Sequence, residues 1–302
     1  MGEPWSQHPA WNLVERAEKL VDRPLAPLLL NGAGVDGADV DLSRTENSQM
    51  SVLLVSLMGW EALRATLETS PAAFGGHSLG QITALIAAGA IDFDDGIRLA
   101  DERARLTQRD ADRLPGRMAA LLGASLEQAE AACAEVEDCW VANDNTTGQV
   151  VIAGTPEGVA AGSEAARNHG VRKVMTLEVG GAFHTPLFEA AARDLTATLS
   201  SLDWAAHHAP VVGNTDGLLH SAGSVWPQLL ADHLVRPVRW VNCMQTLSSQ
   251  SSRWVEIGPG STLAAFAKRA HPEVAVANLA SPENLDQIHS FLNPMPEENT
   301  HD

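Results

Sequence analysis

The residues best placed to do chemistry in this chain are Gly76-His77-Ser78-Leu79-Gly80. They fit G-x-S-x-G, in which a sharp turn from strand to helix lifts a serine hydroxyl clear of its own backbone. A serine presented this way can attack a carbonyl if a base takes its proton. Small residues are expected on both sides, because the turn brings backbone atoms closer than a Cβ allows. The flanks agree. Residues 71–74 are a short apolar lead-in, and 81–89 are Ala-rich and stop at Gly89, as a helix does. Ser78 is therefore expected at a helix N-terminus, where free N–H groups and the dipole favour developing negative charge. The competing reading is a plain Gly-rich turn, since the pattern recurs by chance in a chain with 24 glycines.

A base must come from elsewhere. Of eleven histidines, His77 adjoins Ser78, and on so tight a turn its side chain should point away from the hydroxyl. His184 stands in Gly181-Ala182-Phe183-His184-Thr185-Pro186, at a Gly-rich exit from a strand and just before a proline that opens a helix. Loops at strand ends are where α/β folds place catalytic side chains. On position alone, a structural histidine is an equal reading.

The elements that must position these residues follow from periodicity and punctuation. A helix is expected over 11–20, a Pro-broken apolar stretch over 24–30, a loop over 32–37, and helices over 48–67 and 92–113. Asp92, Asp94 and Asp95 open the last of these, as a helix dipole favours. From Met118 the pattern changes: strand 118–122, helix 126–136, strand 140–142, turn 145–148, strand 149–153, helix 156–169, strand 172–179. The order β-α-β-β-α-β is that of the split βαβ, or ferredoxin-like, module. Helices then follow over 187–202, 224–234, 240–249 and 263–270, with strands over 209–214 and 254–257. The expected fold is α/β: a parallel-sheet, α/β-hydrolase-like core made of 1–116 and 184–302, interrupted by a ferredoxin-like subdomain at 117–183. The tail from Pro294 is rich in Pro, Glu and Asn and reads as disordered.

Composition excludes several classes. With 45% hydrophobic residues in 302 the chain can bury a core. No apolar run approaches the ~20 residues that span a bilayer, and the start lacks a secretory signal. Cys133, Cys139 and Cys243 are spaced neither as a disulfide framework nor as metal ligands. A cytoplasmic protein with no metal, no cofactor and no membrane contact is expected. A formal charge of −18 argues against nucleic acid, whose binding needs phosphates neutralised. It leaves room for a small anion in a local basic pocket.

Several segments taken together resemble the acyl-CoA:acyl carrier protein transacylases, most closely the malonyl-CoA-dependent enzymes of fatty acid and polyketide synthesis. They are GHSLGQ (76–81), IDFDDGIRLADERARLTQ (91–108), PGRMAALLG (115–123), ANDNTTGQVVIAG (142–154), GAFHTPLFEAA (181–191), PVRW (237–240) and VEIGPGSTLAAFAKR (255–269). They fall in family order over residues 11 to 280. The resemblance implies that Ser78 is acylated and that His184 is its base, steadied by a carbonyl and not by a carboxylate. It implies Leu79 N–H as an oxyanion donor and Arg103 as the anchor for the malonyl carboxylate. A planar guanidinium suits that task, because it can grip a carboxylate through two parallel hydrogen bonds. Gln49 and His77 are implied to line the substrate pocket. His233 falls where many relatives carry a glutamine whose carbonyl orients the catalytic histidine, and an imidazole could take that part only through a different nitrogen geometry. Phe183 resembles the bulky residue of malonyl-selective members; excluding one methyl is worth only about 1–3 kcal/mol. The implied activity is [acyl-carrier-protein] S-malonyltransfer by a monomer, with malonyl-CoA and a phosphopantetheinylated acyl carrier protein as partners.

One departure stands out. The family opens with an apolar strand running into a Gly-Gln-Gly-Ser-Gln loop that completes the oxyanion hole, and this chain begins with the segment that follows. The expectation is that a central strand and one oxyanion donor are missing, through a mis-assigned start or genuine degeneration, with Gln49 the candidate replacement donor. Two other readings stay open: a hydrolase passing the same acyl-serine to water, and a truncated, non-catalytic homologue serving as a partner subunit.

Overall fold

The computed structural model describes residues 1–30 and 41–293; the loop expected at 32–37 and the tail from Pro294 lie outside the described residues. The first helix, α1 (Asn12–Val21), is amphipathic and buries Val14 and Ala17. The Pro-broken stretch supplies only α2 (Ala26–Leu29). Its start is held by Glu18, whose Oε1 accepts from the N–H groups of Leu25 and Ala26 at 2.7 and 2.8 Å. Then come α3 (Thr45–Arg64), α4 (Gly80–Ala88) and α5 (Phe93–Arg113). Helix α3 is buried over most of its length, which its run of Met, Val and Leu on all sides requires. Helix α4 stops because Gly89 turns left-handed at φ 76°, a conformation that costs glycine nothing. Asp92 caps α5 by accepting from Asp95 N–H at 2.8 Å. These helices share one hydrophobic core.

The inserted module comprises β1 (Arg117–Leu122), α6 (Leu126–Ala134), β2 (Cys139–Thr146), β3 (Gln149–Gly154), α7 (Pro156–Asn168) and β4 (Lys173–Leu177). Its strands lie in the order β4-β1-β3-β2 with antiparallel neighbours, the split βαβ arrangement. A separate cluster built on Leu121, Ile152, Val159 and Ala166 forms its core. Strand β2 runs four residues further than the sequence suggests: Asn145 and Thr146 belong to it, and only Thr147 and Gly148 turn. Both residues read as turn formers, but their side chains serve other elements. Asn145 meets His77 at 2.8 Å, and Thr146 Oγ1 donates to Phe266 C=O at 3.2 Å. Two cysteines with no meaningful spacing also come together here, Cys133 Sγ lying 3.8 Å from Cys139 Sγ as free thiols.

The remainder is α8 (Glu189–Ser201), β5 (Val211–Val212), β6 (Leu219–His220), α9 (Trp226–His233), β7 (Val238–Arg239), α10 (Trp240–Ser248), β8 (Arg253–Ile257), α11 (Thr262–Ala270), β9 (Ala275–Leu279) and α12 (Leu285–Leu292). The expected parallel pairings are present between β8 and β9, between β2 and β7, and at the bridge from Phe74 to Val211. They do not merge into one ladder among the described residues. Strand β7 instead joins the edge of the inserted sheet, so the module is stitched to the serine-bearing part through five strands. Strands β6 and β7, two residues each, are too short to carry a period; β9 and α12 also lie outside the expected elements, although Leu285, Ile288 and Leu292 of α12 recur at helical spacing.

Candidate active site

Ser78 sits at φ 54°, a left-handed conformation that a side chain rarely adopts. This is the strained elbow the pattern anticipates, and such backbone costs about 1–3 kcal/mol unless its surroundings enforce it. Gly76 is required for it: an added Cβ would stand 1.9 Å from Gly80 C=O. Gly80 is not, since a Cβ there meets nothing within 4 Å. The expectation of close contact on both sides holds only on the N-terminal side, because Gly80 already belongs to regular helix.

The elbow is pinned by two buried amides on which sequence reasoning is silent. Asn214 Oδ1 accepts from Ser78 N–H at 2.8 Å, and its Nδ2 donates to Gly76 C=O at 2.8 Å. Gln81 returns the favour from the helix, accepting from Asn214 N–H at 2.9 Å and donating to Val212 C=O at 3.1 Å. Both are 2% exposed. Every amide group of this brace is matched, which rigidifies a buried polar network. Asn214 is the second residue after β5, which covers only Val211–Val212 of the strand expected over 209–214, and a lone amide at such an end carries no periodic signal of its role. Leu79 N–H donates to no acceptor among the described residues, while the next N–H, that of Gly80, is taken by His77 C=O. Leu79 is thus an available donor beside Oγ.

His184 lies at hydrogen-bond distance from the nucleophile, Nε2 to Ser78 Oγ being 2.9 Å. It too is left-handed, at φ 62°. Its other nitrogen, Nδ1, donates to the main-chain carbonyl of His233 at 2.7 Å. That bond fixes the tautomer, leaving Nε2 free to accept the serine proton. The expected conflict at His233 therefore dissolves, because the carbonyl is backbone and the side chain is immaterial to the bond. The His233 imidazole instead stacks on His184, with centroids 4.9 Å apart and planes inclined by 26°, and its Nε2 is buried without a partner. Burial pushes the His184 imidazole down to about 3, and nearby Arg103 adds to the effect. Burial likewise holds His233 and His77 below the ordinary imidazole value.

Arg103 comes from the middle of α5 and is 5% exposed. Its Nη2 donates to Ser78 Oγ at 3.2 Å, and its Nη1 donates to Gln49 Oε1. Among the described residues no carboxylate pairs with it. Burial alone draws it down to about 10, still far above neutrality, so the guanidinium is a buried and uncompensated cation. A lone buried charge is costly, and a site that keeps one is built to receive the opposite charge. Gln49, from α3, is spoken for: besides accepting from Arg103, its Nε2 donates to Thr45 Oγ1 at 3.0 Å and Thr107 Oγ1 at 3.1 Å. Both amide hydrogens are spent, so Gln49 is an arginine clamp and does not serve as the spare oxyanion donor.

The other two expected residues occupy the margins. His77 turns from Ser78 as anticipated, its Nε2 donating to Asn145 Oδ1 at 2.8 Å while its ring packs edge-on to Trp240 at 5.4 Å. It ties the elbow to the inserted module. Phe183 stacks on Phe188 at 5.0 Å and touches the cores of both parts. Among the described residues no cluster of His, Cys, Asp or Glu could hold a metal ion.

Known proteins resemble the chain in sequence and fold. The family model described as "Acyl transferase domain" matches residues 13–296. The Malonyl CoA-acyl carrier protein transacylase of Escherichia coli strain K12 is 31% identical over 253 residues, covering 82% of each chain. Among solved structures, the malonyl-CoA:acyl carrier protein transacylase of Xanthomonas oryzae superposes with a TM-score of 0.86 at 32% identity, over 95% of this chain and 91% of that one. A malonyl-transacylase in complex with its type II PKS acyl-carrier protein gives 0.86 at 28% identity, over 94% and 91%. With a Ser-His pair on a strained elbow and a family match over nearly its whole length, the chain belongs to the acyl transferase domain family.

Proposed function

We propose that this protein moves a malonyl group from coenzyme A to the phosphopantetheine thiol of an acyl carrier protein. The observation that carries this reading is Arg103, a buried cation without a carboxylate, 3.2 Å from the nucleophile. An acyl donor ending in a carboxylate completes that ion pair and delivers its thioester carbonyl to Ser78; a simple acyl group does not. The relatives named for malonyl transfer, and the one solved with its carrier protein, agree with it.

The steps follow from the geometry. Neutral His184 takes the Ser78 proton at Nε2 as Oγ attacks the thioester carbonyl. The negative charge that develops on the carbonyl oxygen meets Leu79 N–H and the N-terminus of α4. Collapse breaks the C–S bond, and the departing CoA sulfur takes the proton from the imidazolium. The carrier thiol then gives its proton to His184, attacks the Ser78 ester, and leaves malonyl on the carrier as Ser78 recovers its proton. In this reading His77 lines the pocket beside the elbow, and Phe183, resting on Phe188, narrows it against branched donors. We take the protein to act as a monomer in the cytoplasm, with residues 117–183 as a distinct subdomain and no nucleic acid or membrane partner. The charge of −18 supports the exclusion of nucleic acid.

Intact-protein mass spectrometry after mixing with malonyl-CoA tests the reading. A malonyl adduct on the peptide containing Ser78, passed on when holo carrier protein is added, is the expected result. An adduct lost to water at the same rate with and without carrier would make the protein a hydrolase. No adduct at all would make it a non-catalytic homologue.

A further inference from the structure

Arg103 does more in this structure than wait for a carboxylate. Its Nη2 donates to the serine Oγ that must attack the thioester. Oγ carries one hydrogen and two lone pairs. The hydrogen faces His184 Nε2 at 2.9 Å, and one lone pair is engaged by the guanidinium. Nothing on the protein competes for that cation, since no carboxylate reaches it among the described residues. Gln49 holds the other nitrogen, Nη1, and is itself fixed by Thr45 and Thr107. The cation is therefore anchored on one side and rests on the nucleophile with the other.

We infer that Arg103 masks Ser78 in the empty enzyme, and that the carboxylate of an incoming acyl group unmasks it by drawing Nη2 away from Oγ. This inference rests on the malonyl-transfer reading above and adds to it a place where selectivity arises. A donor with a free carboxylate gains at the acylation step itself as well as in binding.

Three effects act together. An Oγ that accepts a charge-assisted hydrogen bond is a poorer nucleophile, because the donor draws electron density from the oxygen and leaves only one of its two lone pairs open to a carbonyl. Proton transfer from Ser78 creates an imidazolium beside the guanidinium, and two like charges in a dry site repel strongly. Arg103 already weakens His184 as a base for the same reason. One opposing effect is real: a cation near Oγ also stabilises the serine alkoxide. In general-base attack the proton leaves as Oγ bonds to carbon, so the negative charge passes on to the carbonyl oxygen and little alkoxide builds up beside Arg103, whereas the imidazolium forms in full. Pairing with a substrate carboxylate cancels the field on His184 and frees Oγ in one event. An acetyl donor brings no such partner and meets a masked serine, which also protects the enzyme from acylation by the commoner thioesters.

The test avoids acyl donors and carrier proteins, so it stands apart from the test of the transfer reaction. Diisopropyl fluorophosphate is uncharged and phosphorylates an activated serine, Oγ displacing fluoride at phosphorus while His184 takes the proton. Its rate of addition to Ser78, followed by intact mass, reports the nucleophile alone. In Arg103→Ala, labelling should be roughly tenfold faster or more than in the unmodified protein, the scale of one charge-assisted hydrogen bond. The pH midpoint of labelling should rise, since the histidine regains basicity. A second arm uses the unmodified protein, which guards against misfolding of the variant. Formate, small enough to pair with Arg103 without filling the site, should accelerate labelling at concentrations where a shift in melting temperature shows that it binds, and should have no effect on Arg103→Ala. Labelling of the unmodified protein that formate leaves unchanged or slows would overturn the inference. So would a well-folded Arg103→Ala labelled no faster than its parent. In either case malonyl transfer could still be intact, with Arg103 as an anchor and nothing more.

Discussion

The inserted module and the serine site are held together by different means. In the module, β1 pairs with β3 over six residues and with β4 over five, and its interior positions are buried on both faces. In the serine-bearing part, among the described residues, the segment leading to the elbow makes a single bridge at Phe74, and β8 pairs only with β9 and is half-buried. What the ladder does for the module, buried side-chain amides do for the site. Gly76, Ser78, Gln81 and Asn214 close a loop of hydrogen bonds that forces two atoms into place and stores strain at Ser78. The module is robust because many weak contacts agree. The site is exact because a few strong ones do, so damage to the two regions should be read by different instruments.

The largest effect belongs to the dyad. His184→Ala should slow acylation of Ser78 by about 10²–10⁴-fold, the ordinary worth of a general base, with the fold retained although the bond to His233 C=O is lost. Single-turnover acylation by malonyl-CoA measures it. A fall below threefold would mean that the 2.9 Å contact with Ser78 is structural and the comparison misplaces the site.

The next pair sets the two regions against each other. Ile152→Ala, at a fully buried position of β3, should cost about 2–5 kcal/mol of stability while leaving turnover per folded molecule nearly unchanged. Asn214→Ala should do the reverse. It leaves Ser78 N–H and Gly76 C=O without partners and lets the elbow drift, which costs turnover on the order of 10²-fold for a displacement near 1 Å. Urea melts and kcat measured on the same samples decide it. Equal profiles for the two variants would erase the distinction drawn between ladder and brace.

This contrast also explains what could be read from residues alone. The module was legible because period-two and period-3.6 patterns are redundant: losing one residue of 149–154 would not hide a strand. Ser78 was legible because a strained turn needs particular residue types; His184 stood even with a structural histidine on position, and only the resemblance to a family singled it out. The role of Asn214 was not, since at the end of the strand expected over 209–214 it reads as one more strand residue, and only the short β5 leaves its amide to reach the elbow. Nor could Gln49 be assigned correctly. Only the resemblance to a family put it at the pocket, and only the orientation of Thr45 and Thr107 shows that its amide hydrogens are consumed. The extent of β2 was missed for a related reason: Asn145 and Thr146 are polar on account of distant partners, and local rules count polarity as a turn.

A smaller effect concerns pH. Burial lowers His184 to about 3, and lowers His77 and His233 as well. Between that value and the ordinary 6.5 the unfolded chain binds more protons than the folded one, so stability is complete above about 6.5 and falls as the pH drops. One such histidine contributes at most about 1.4 kcal/mol per pH unit within that window. Carboxylates titrating lower down would blur the signal, so the useful range is 6.5 to 5. There the slope of unfolding free energy against pH should be visibly flatter in His184→Gln than in the unmodified protein. The same slope in both would mean that His184 is not buried as neutral imidazole.

The smallest effect tests how tightly the brace reaches along the chain. Gly80 is the first residue of α4, its φ is not left-handed, and a Cβ placed on it meets nothing within 4 Å. Its N–H already donates to His77 C=O at 2.9 Å, a bond that alanine keeps. Gly80→Ala should therefore stabilise the fold by about 0.4–1 kcal/mol, mainly by narrowing the unfolded ensemble. Gly76, four residues earlier, has no such freedom, because its Cβ would strike backbone that cannot yield. A gain in melting temperature for Gly80→Ala would confine the tight part of the elbow to residues 76–78 and the amides that hold them. A loss of 1 kcal/mol or more would show instead that the constraint runs into the helix, and the line drawn here between a brace of side chains and a regular element would have to move past Gly80.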